Sequence, residues 1–145
     1  MNRQTGFTLI ELIAVILILG ILAAVAAPKL IDLGSDARSG VVRGLEGSMR
    51  AANTMLYAKA AAGSALGATG SVTINGTAVS LVYGYASSGT ELAKVMDLTP
   101  AADFTVAAGS IQHAKGTTPA SCQVAYTAAA SAGAQPTYTT TVTGC

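Results

Sequence analysis

Charged residues are scarce in this 145-residue chain: Asp, Glu, Lys and Arg make up 10% of it, against about a quarter in an ordinary soluble domain. Eight basic and seven acidic residues leave a formal net charge of +1. No stripe of Lys or Arg is present, so the electrostatic footprint of a nucleic-acid binder is missing. Aromatic residues are 5% of the chain and tryptophan is absent, which argues against a stacking platform for single strands. The single histidine, His113, has no carboxylate or cysteine within local reach. A surface or partly buried role is expected for it rather than catalysis. The acidic residues form no metal-binding run, and no Gly-x-Ser-x-Gly, phosphate loop or paired-carboxylate motif occurs. Neither an enzyme nor a cofactor is expected. The two cysteines, Cys122 and Cys145, lie far from any second Cys or His at metal-ligand spacing, which argues against zinc.

Apolar residues, by contrast, are 51% of the chain, concentrated in one run near the start and in scattered alanines. The length allows one domain besides that run. Alanine buries little area, so the domain will have a thin core in need of a staple. Two cysteines permit one intramolecular pairing. In a chain with an export-type N-terminus a disulfide is the leading reading, and two free thiols are the alternative.

The run from Phe7 to Ala27 is FTLIELIAVILILGILAAVAA, with Glu11 its single charge. As a helix rising ~1.5 Å per residue it reaches about 32 Å, enough for a hydrocarbon core of ~30 Å. Lipid offers no partners to backbone groups, so helix is enforced there. Arg3, in the short segment ahead of the run, favours keeping that end in the cytoplasm. Three readings compete. A secretory signal peptide is supported by the A-x-A pattern Ala24-Val25-Ala26. It is opposed by Glu11, which costs on the order of 2.5 kcal/mol at depth, and by Pro28, which would stand second in the product. A plain anchor would place Glu11 at the membrane interface. The third reading is a retained apolar helix that uses Glu11.

Gly6-Phe7-Thr8-Leu9-Ile10-Glu11 followed by an unbroken apolar stretch resembles the N-terminal motif of type IV prepilins and of the related type II secretion pseudopilins. The resemblance implies cleavage between Gly6 and Phe7 by a prepilin peptidase on the cytoplasmic side, N-methylation of Phe7, and retention of the helix. It also implies that Glu11 is the assembly carboxylate. The spacing makes physical sense of this. The new amine on Phe7 and the carboxylate of Glu11 stand one helical turn apart on the same face. Neither charge is comfortable in an apolar setting without a partner. A neighbouring subunit shifted along a filament would supply one and so fix the register. Gly20 and Pro28 weaken the helix; both are ordinary in membrane helices, and in the family reading they let the segment stretch.

Beyond Pro28 the apolar residues Leu30, Leu33, Ala37, Val41, Leu45, Met49, Ala52, Leu56 and Ala60 recur at spacings of three and four, a helical stripe for a packed domain. Glu46 and Arg50 form an i,i+4 pair. After Gly63 the pattern turns to β. Val72 to Val79 predicts a hairpin around an Asn75-Gly76 type I′ turn, with its strand continuing through Tyr83. That turn explains Asn75-Gly76-Thr77 better than a glycosylation sequon does. Thr90 to Met96 predicts a short helix, and Phe104 to Val106 a weak strand. Cys122 to Thr127 and Thr137 to Val142 predict two strands; paired antiparallel, they bring Cys122 and Cys145 together. Such a bridge is worth roughly 3 kcal/mol in the chain-entropy model.

The disulfide-bounded tail resembles that of type IVa pilins. So do Ala27 to Leu33, Ser35-Asp36-Ala37-Arg38 and Val82-Tyr83-Gly84-Tyr85, which are similar to segments of a major pilin of that class. The expected fold is α+β: a long N-terminal α-helix with an apolar first half, packed on a small antiparallel β-sheet domain. The expected parts are a leader (1–6), an apolar membrane or filament-core helix (7–28), an amphipathic half (29–62) and a β body (63–145). The implied partners are identical subunits in a helical filament, the prepilin peptidase, inner-membrane assembly machinery and the inner membrane itself. No nucleic acid is expected. The implied location is the inner membrane and then an extracellular pilus of a Gram-negative bacterium. A secretion pseudopilin is the nearest alternative; a secreted binding domain behind a signal peptide is the more distant one.

Overall fold

The structure, a computed structural model, describes residues 7–145. The chain divides into two units, one ending at Ser35 and one running from Asp36 to Cys145. A single helix, α1 (Leu9–Ala62), contributes to both.

In the first unit every described side chain from Phe7 to Pro28 is exposed. The most apolar 18-residue window of α1 has a mean hydropathy of 3.0, and none of it is buried. By length and composition the helix can cross a membrane. Among the described residues nothing shields these side chains, so their burial must come from elsewhere.

In the second unit α1 buries one face. Val42, Leu45, Met49, Ala52, Leu56 and Ala60 are all buried, at spacings of three and four. The stripe departs from expectation at its start. Val41 is 45% exposed while Val42 is fully buried. One turn back from Leu45 falls between the two positions, so periodicity alone cannot choose. Leu33 and Ala37 are exposed, and Leu30 lies outside the described side chains. The packed stripe therefore begins only at Val42.

Two antiparallel sheets complete this unit. The first has the order β1 (Gly70–Ile74), β2 (Thr77–Val82), β3 (Tyr85–Ala86). Its first turn is Asn75-Gly76, with φ of 48° and 79° and Ile74 paired to Thr77, the type I′ geometry expected. The strand does not continue through Tyr83. Tyr83 and Gly84 form a second two-residue turn, with φ of 50° and 86°, that pairs Val82 with Tyr85. Gly84 is required there twice over, since a Cβ would also lie 2.6 Å from Leu66 and 2.9 Å from Tyr57. The short helix α2 (Gly89–Ala93) starts one residue earlier than expected and stops at Ala93. Its N-cap Ser88 accepts from the Glu91 N–H at 3.2 Å.

The second sheet has the order β4 (Phe104–Ala107), β5 (Ser110–His113), β6 (Gln123–Thr127), β7 (Thr137–Thr141). Strands β4, β6 and β7 were legible in the sequence, whereas β5 was not. Alternation along β5 and β6 turns Ile111, His113, Val124 and Tyr126 inward. His113 is thus buried, more deeply than expected, beside Phe104 at 5.8 Å between ring centres. The inward residues of both sheets and the stripe of α1 form one core cluster.

Asn53, 1% exposed, stands in that cluster as its polar centre. Its Nδ2 donates to the hydroxyls of Tyr126 at 3.2 Å and Tyr138 at 2.7 Å, and its Oδ1 accepts from the Ala86 N–H at 2.9 Å. Tyr126 in turn donates to the Ala86 carbonyl at 2.6 Å. One side chain on α1 thereby ties β3 of one sheet to β6 and β7 of the other, with every polar atom paired.

Candidate functional site

The residues singled out from sequence fall in two places. Gly6 lies outside the described residues. Phe7 precedes α1 and is 87% exposed. Glu11 occupies the first turn, and its carboxylate folds back on Thr8. Glu11 Oε2 accepts from the Thr8 N–H at 2.9 Å and from the Thr8 hydroxyl at 2.7 Å. The Thr8 Oγ1 accepts from the Glu11 N–H at 3.3 Å. This is a reciprocal capping box, which satisfies two of the backbone donors a helix start leaves unpaired. The carboxylate also faces the positive end of the helix dipole.

Thr8 is the residue that reading for charge alone passes over. The signal that finds it is Thr8-x-x-Glu11 ahead of an apolar run. The box has a chemical consequence: it holds Oε2 locally and leaves Oε1 without a partner among the described residues. A carboxylate so placed can still accept an ion pair from outside.

Gly20 is helical, with nothing within 4 Å of where a Cβ would stand. Pro28 is also inside α1 and donates no backbone hydrogen bond to the preceding turn.

The cysteines belong to the other unit. Cys122 and Cys145 are bonded at 2.02 Å, with Cα atoms 4.8 Å apart and a sequence separation of 23. Both are buried. The bridge is set by β6 and β7, whose register from Gln123↔Thr141 to Thr127↔Thr137 brings the two ends together. Arg38 on α1 donates through Nε to the Cys145 carbonyl oxygen, and the Gly144 N–H donates to the Ser121 carbonyl at 2.9 Å. Among the described residues no three His, Cys, Asp or Glu side chains gather into a metal site.

Residues 1–27 match the family described as the prokaryotic N-terminal methylation motif. The chain is also similar to the type IV narrow pilus major component PilA5 of Thermus thermophilus, with 35% identity over 91 residues that span 54% of this chain and 78% of that protein. No solved structure matches at comparable significance. A methylation motif heads the exposed apolar helix, a disulfide closes the α+β body, and the likeness to PilA5 covers most of that relative: the chain belongs to the type IV pilins.

Proposed function

We propose that the chain is a prepilin that becomes the major structural subunit of an extracellular pilus. The leader, residues 1–6, is removed between Gly6 and Phe7 by a prepilin peptidase, and Phe7 is N-methylated. Residues 7–28 then sit in the inner membrane and afterwards form the filament core, while residues 29–62 carry the body 63–145. The observation that carries this reading is the segment 7–28, whose apolar side chains are all exposed yet whose one carboxylate is held at its head. Such a surface is stable only in lipid or against other copies of itself.

In the filament, the Phe7 amine of one subunit pairs with Glu11 of its neighbour. The burial of two charges makes that contact strict about register, because a misaligned subunit leaves both unpaired. Gly20 and Pro28 are the positions where the helix yields under extension. The assembled pilus serves adhesion, biofilm formation or motility, and the chain performs no catalysis. Its partners are identical subunits, the peptidase and inner-membrane assembly machinery, and its host is Gram-negative.

A second reading, a secretion pseudopilin, shares the leader and the helix. The Cys122–Cys145 bridge favours the pilus, since it resembles the tail of type IVa pilins. The deciding experiment is mass spectrometry of the mature N-terminus. N-methylated Phe7 is the expected result. A chain starting at Ala27 or Pro28 would mean that Ala24-Val25-Ala26 is a signal-peptidase site and that the body is secreted alone.

A further inference from the structure

Each sheet of the body ends in two outer strands, and an outer strand leaves a row of backbone groups without a ladder partner. All of these strands but one are guarded. On β3 the Ala86 N–H donates to Asn53 and the Ala86 carbonyl accepts from Tyr126. On β1 the Thr73 carbonyl accepts from the Lys59 ammonium, a charge of the kind that keeps other strands off an edge. Strand β4 has only 4 residues. Its Phe104 N–H donates to the Ala101 carbonyl, and the Ala108 carbonyl just after it accepts from the Gly89 N–H of α2 at 2.6 Å. The exception is β7, which ends the second sheet.

Which groups β7 leaves open follows from the bonds on the far side of β6. The Tyr126 N–H donates to the Gly109 carbonyl at 2.8 Å, and the Cys122 carbonyl accepts from the His113 N–H at 2.8 Å. Even-numbered residues of this stretch therefore aim their backbone groups at β5, while Gln123, Ala125 and Thr127 aim theirs at β7. Their partners there are Thr141, Thr139 and Thr137. The N–H and carbonyl of Tyr138 and of Thr140 are left on the free edge, and among the described residues none of these groups has a hydrogen-bond partner. The strand that carries them is held in place from the helix side, Tyr138 by Asn53 and Thr140 by Glu46.

The sequence adds no protection. The last charged side chain is Lys115, and β7 reads Thr-Tyr-Thr-Thr-Thr, without charge or proline inside it. Threonine and tyrosine are both strong strand formers. Glu46 and Arg50, the charged residues that touch β7, are paired with each other at 2.7 Å. The strand is also complementary to itself. Turned about a two-fold axis through Thr139, a second copy sets its Thr140 opposite Tyr138 and its Tyr138 opposite Thr140, so that every open backbone group on both edges is paired. Thr139 then meets Thr139 and Thr137 meets Thr141, with no charges to repel and hydroxyls to share. We propose that β7 is a strand-addition edge whose occupant is β7 of a second copy of this chain, joined antiparallel about Thr139 into one sheet that runs through both bodies. A two-fold contact of this kind is distinct from the head-to-tail repeat of a filament, and it rests on the body alone.

The test reads the register directly and needs no filament. Full chains in detergent micelles carry one added cysteine, are oxidised mildly, and are run on non-reducing gels; the native Cys122–Cys145 bridge is buried and stays closed. Facing residues of a non-hydrogen-bonded antiparallel pair have Cα atoms about 4.5 Å apart, within disulfide reach. Thr139→Cys should therefore give at least about tenfold more linked dimer than Thr77→Cys, an exposed position on the other sheet, because docking raises the local thiol concentration. Thr137→Cys mixed with Thr141→Cys should link far better than either variant alone. Adding Thr139→Lys to both members of that mixture should abolish the link, and Lys on one member with Glu on the other should keep it. Position 139 is exposed, so these changes leave the fold intact, with an unchanged melting temperature as the check. The proposal is overturned if Thr139→Cys links no better than Thr77→Cys, or if Thr137→Cys and Thr141→Cys link as well alone as together. A link that persists with Lys on both members overturns it as well.

Discussion

The same helix, α1, does opposite things in the two units. From Leu9 to Pro28 it exposes every large apolar side chain; in the second unit it buries a stripe of six with Asn53 beside them. The difference is one of where the partner comes from. The body carries its partners on the same chain, two sheets stitched to α1 by Asn53, by Thr140 on Glu46 and by Arg38 on the terminal carbonyl. Among its described residues the first unit carries none, and its apolar surface is left uncovered. A chain built this way folds a small domain by itself and leaves its largest apolar surface for assembly.

The sharpest way to break that comparison is to change Glu11. If the first unit is built for pairing between subunits, Glu11→Ala keeps membrane insertion but reduces surface filaments by an order of magnitude or more. Glu11→Gln decides why. Glutamine also serves in a capping box, so it preserves the contact with Thr8 while abolishing the charge. Loss of filaments with both substitutions assigns the role to the charge. Normal filaments with Gln would reduce Glu11 to a cap worth about 1 kcal/mol.

The body is tested next through its bridge. Cys145→Ser, or reduction, should cost about 3 kcal/mol of domain stability, and α1 should still insert. A melting temperature indifferent to reductant would show that the strand pairing of β6 and β7 suffices without it. Below that in size comes Asn53→Ala. It strands the Ala86 N–H in the core and frees the Tyr138 phenol, while Tyr126 keeps its bond to the Ala86 carbonyl, a loss of about 1–3 kcal/mol by thermal melting. Because Tyr138 would loosen while the first unit is untouched, insertion should again be unaffected.

These elements were legible from sequence to very different degrees. Asn75-Gly76 announces a hairpin because both left-handed positions hold residues that favour them. Tyr83-Gly84 hides one, because tyrosine is a strand former and the turn is held by Gly84 packing under Tyr57 and Leu66. Strand β5 offers a single inward aliphatic, Ile111, too little for a periodic signal, and is placed by pairing on both sides. Asn53 is invisible in kind. It reads as a polar interruption of an apolar stripe, since its partners Tyr126 and Tyr138 lie 73 and 85 residues away. At the N-terminus the capping box is wholly local and could have been read. Any partner of Glu11 beyond Thr8 lies outside the described residues of one chain.

The smallest expected effect concerns acid. Glu46 joins α1 to β7, with Thr140 donating to its Oε2 at 2.6 Å and Arg50 to its Oε1 at 2.7 Å. The Thr140 hydrogen bond first, and Arg50 second, hold its carboxyl below the ordinary value of 4.5. A depressed folded-state pKa means that folding favours the ionised form. Its contribution is therefore complete above the ordinary carboxylate range and is lost as pH falls through the lower folded value. Glu91, lowered by Lys94 and by the Ser80 N–H, acts in the same direction. For a partly exposed pair the size is about 0.5 kcal/mol. Melting of the body between neutral pH and about pH 3 should thus decline less steeply in Glu46→Gln than in the parent chain. An identical decline in both would mean that the Thr140–Glu46 contact adds nothing to the ionised state, and that the helix is held to β7 by Asn53 and the Arg50–Tyr138 stack alone.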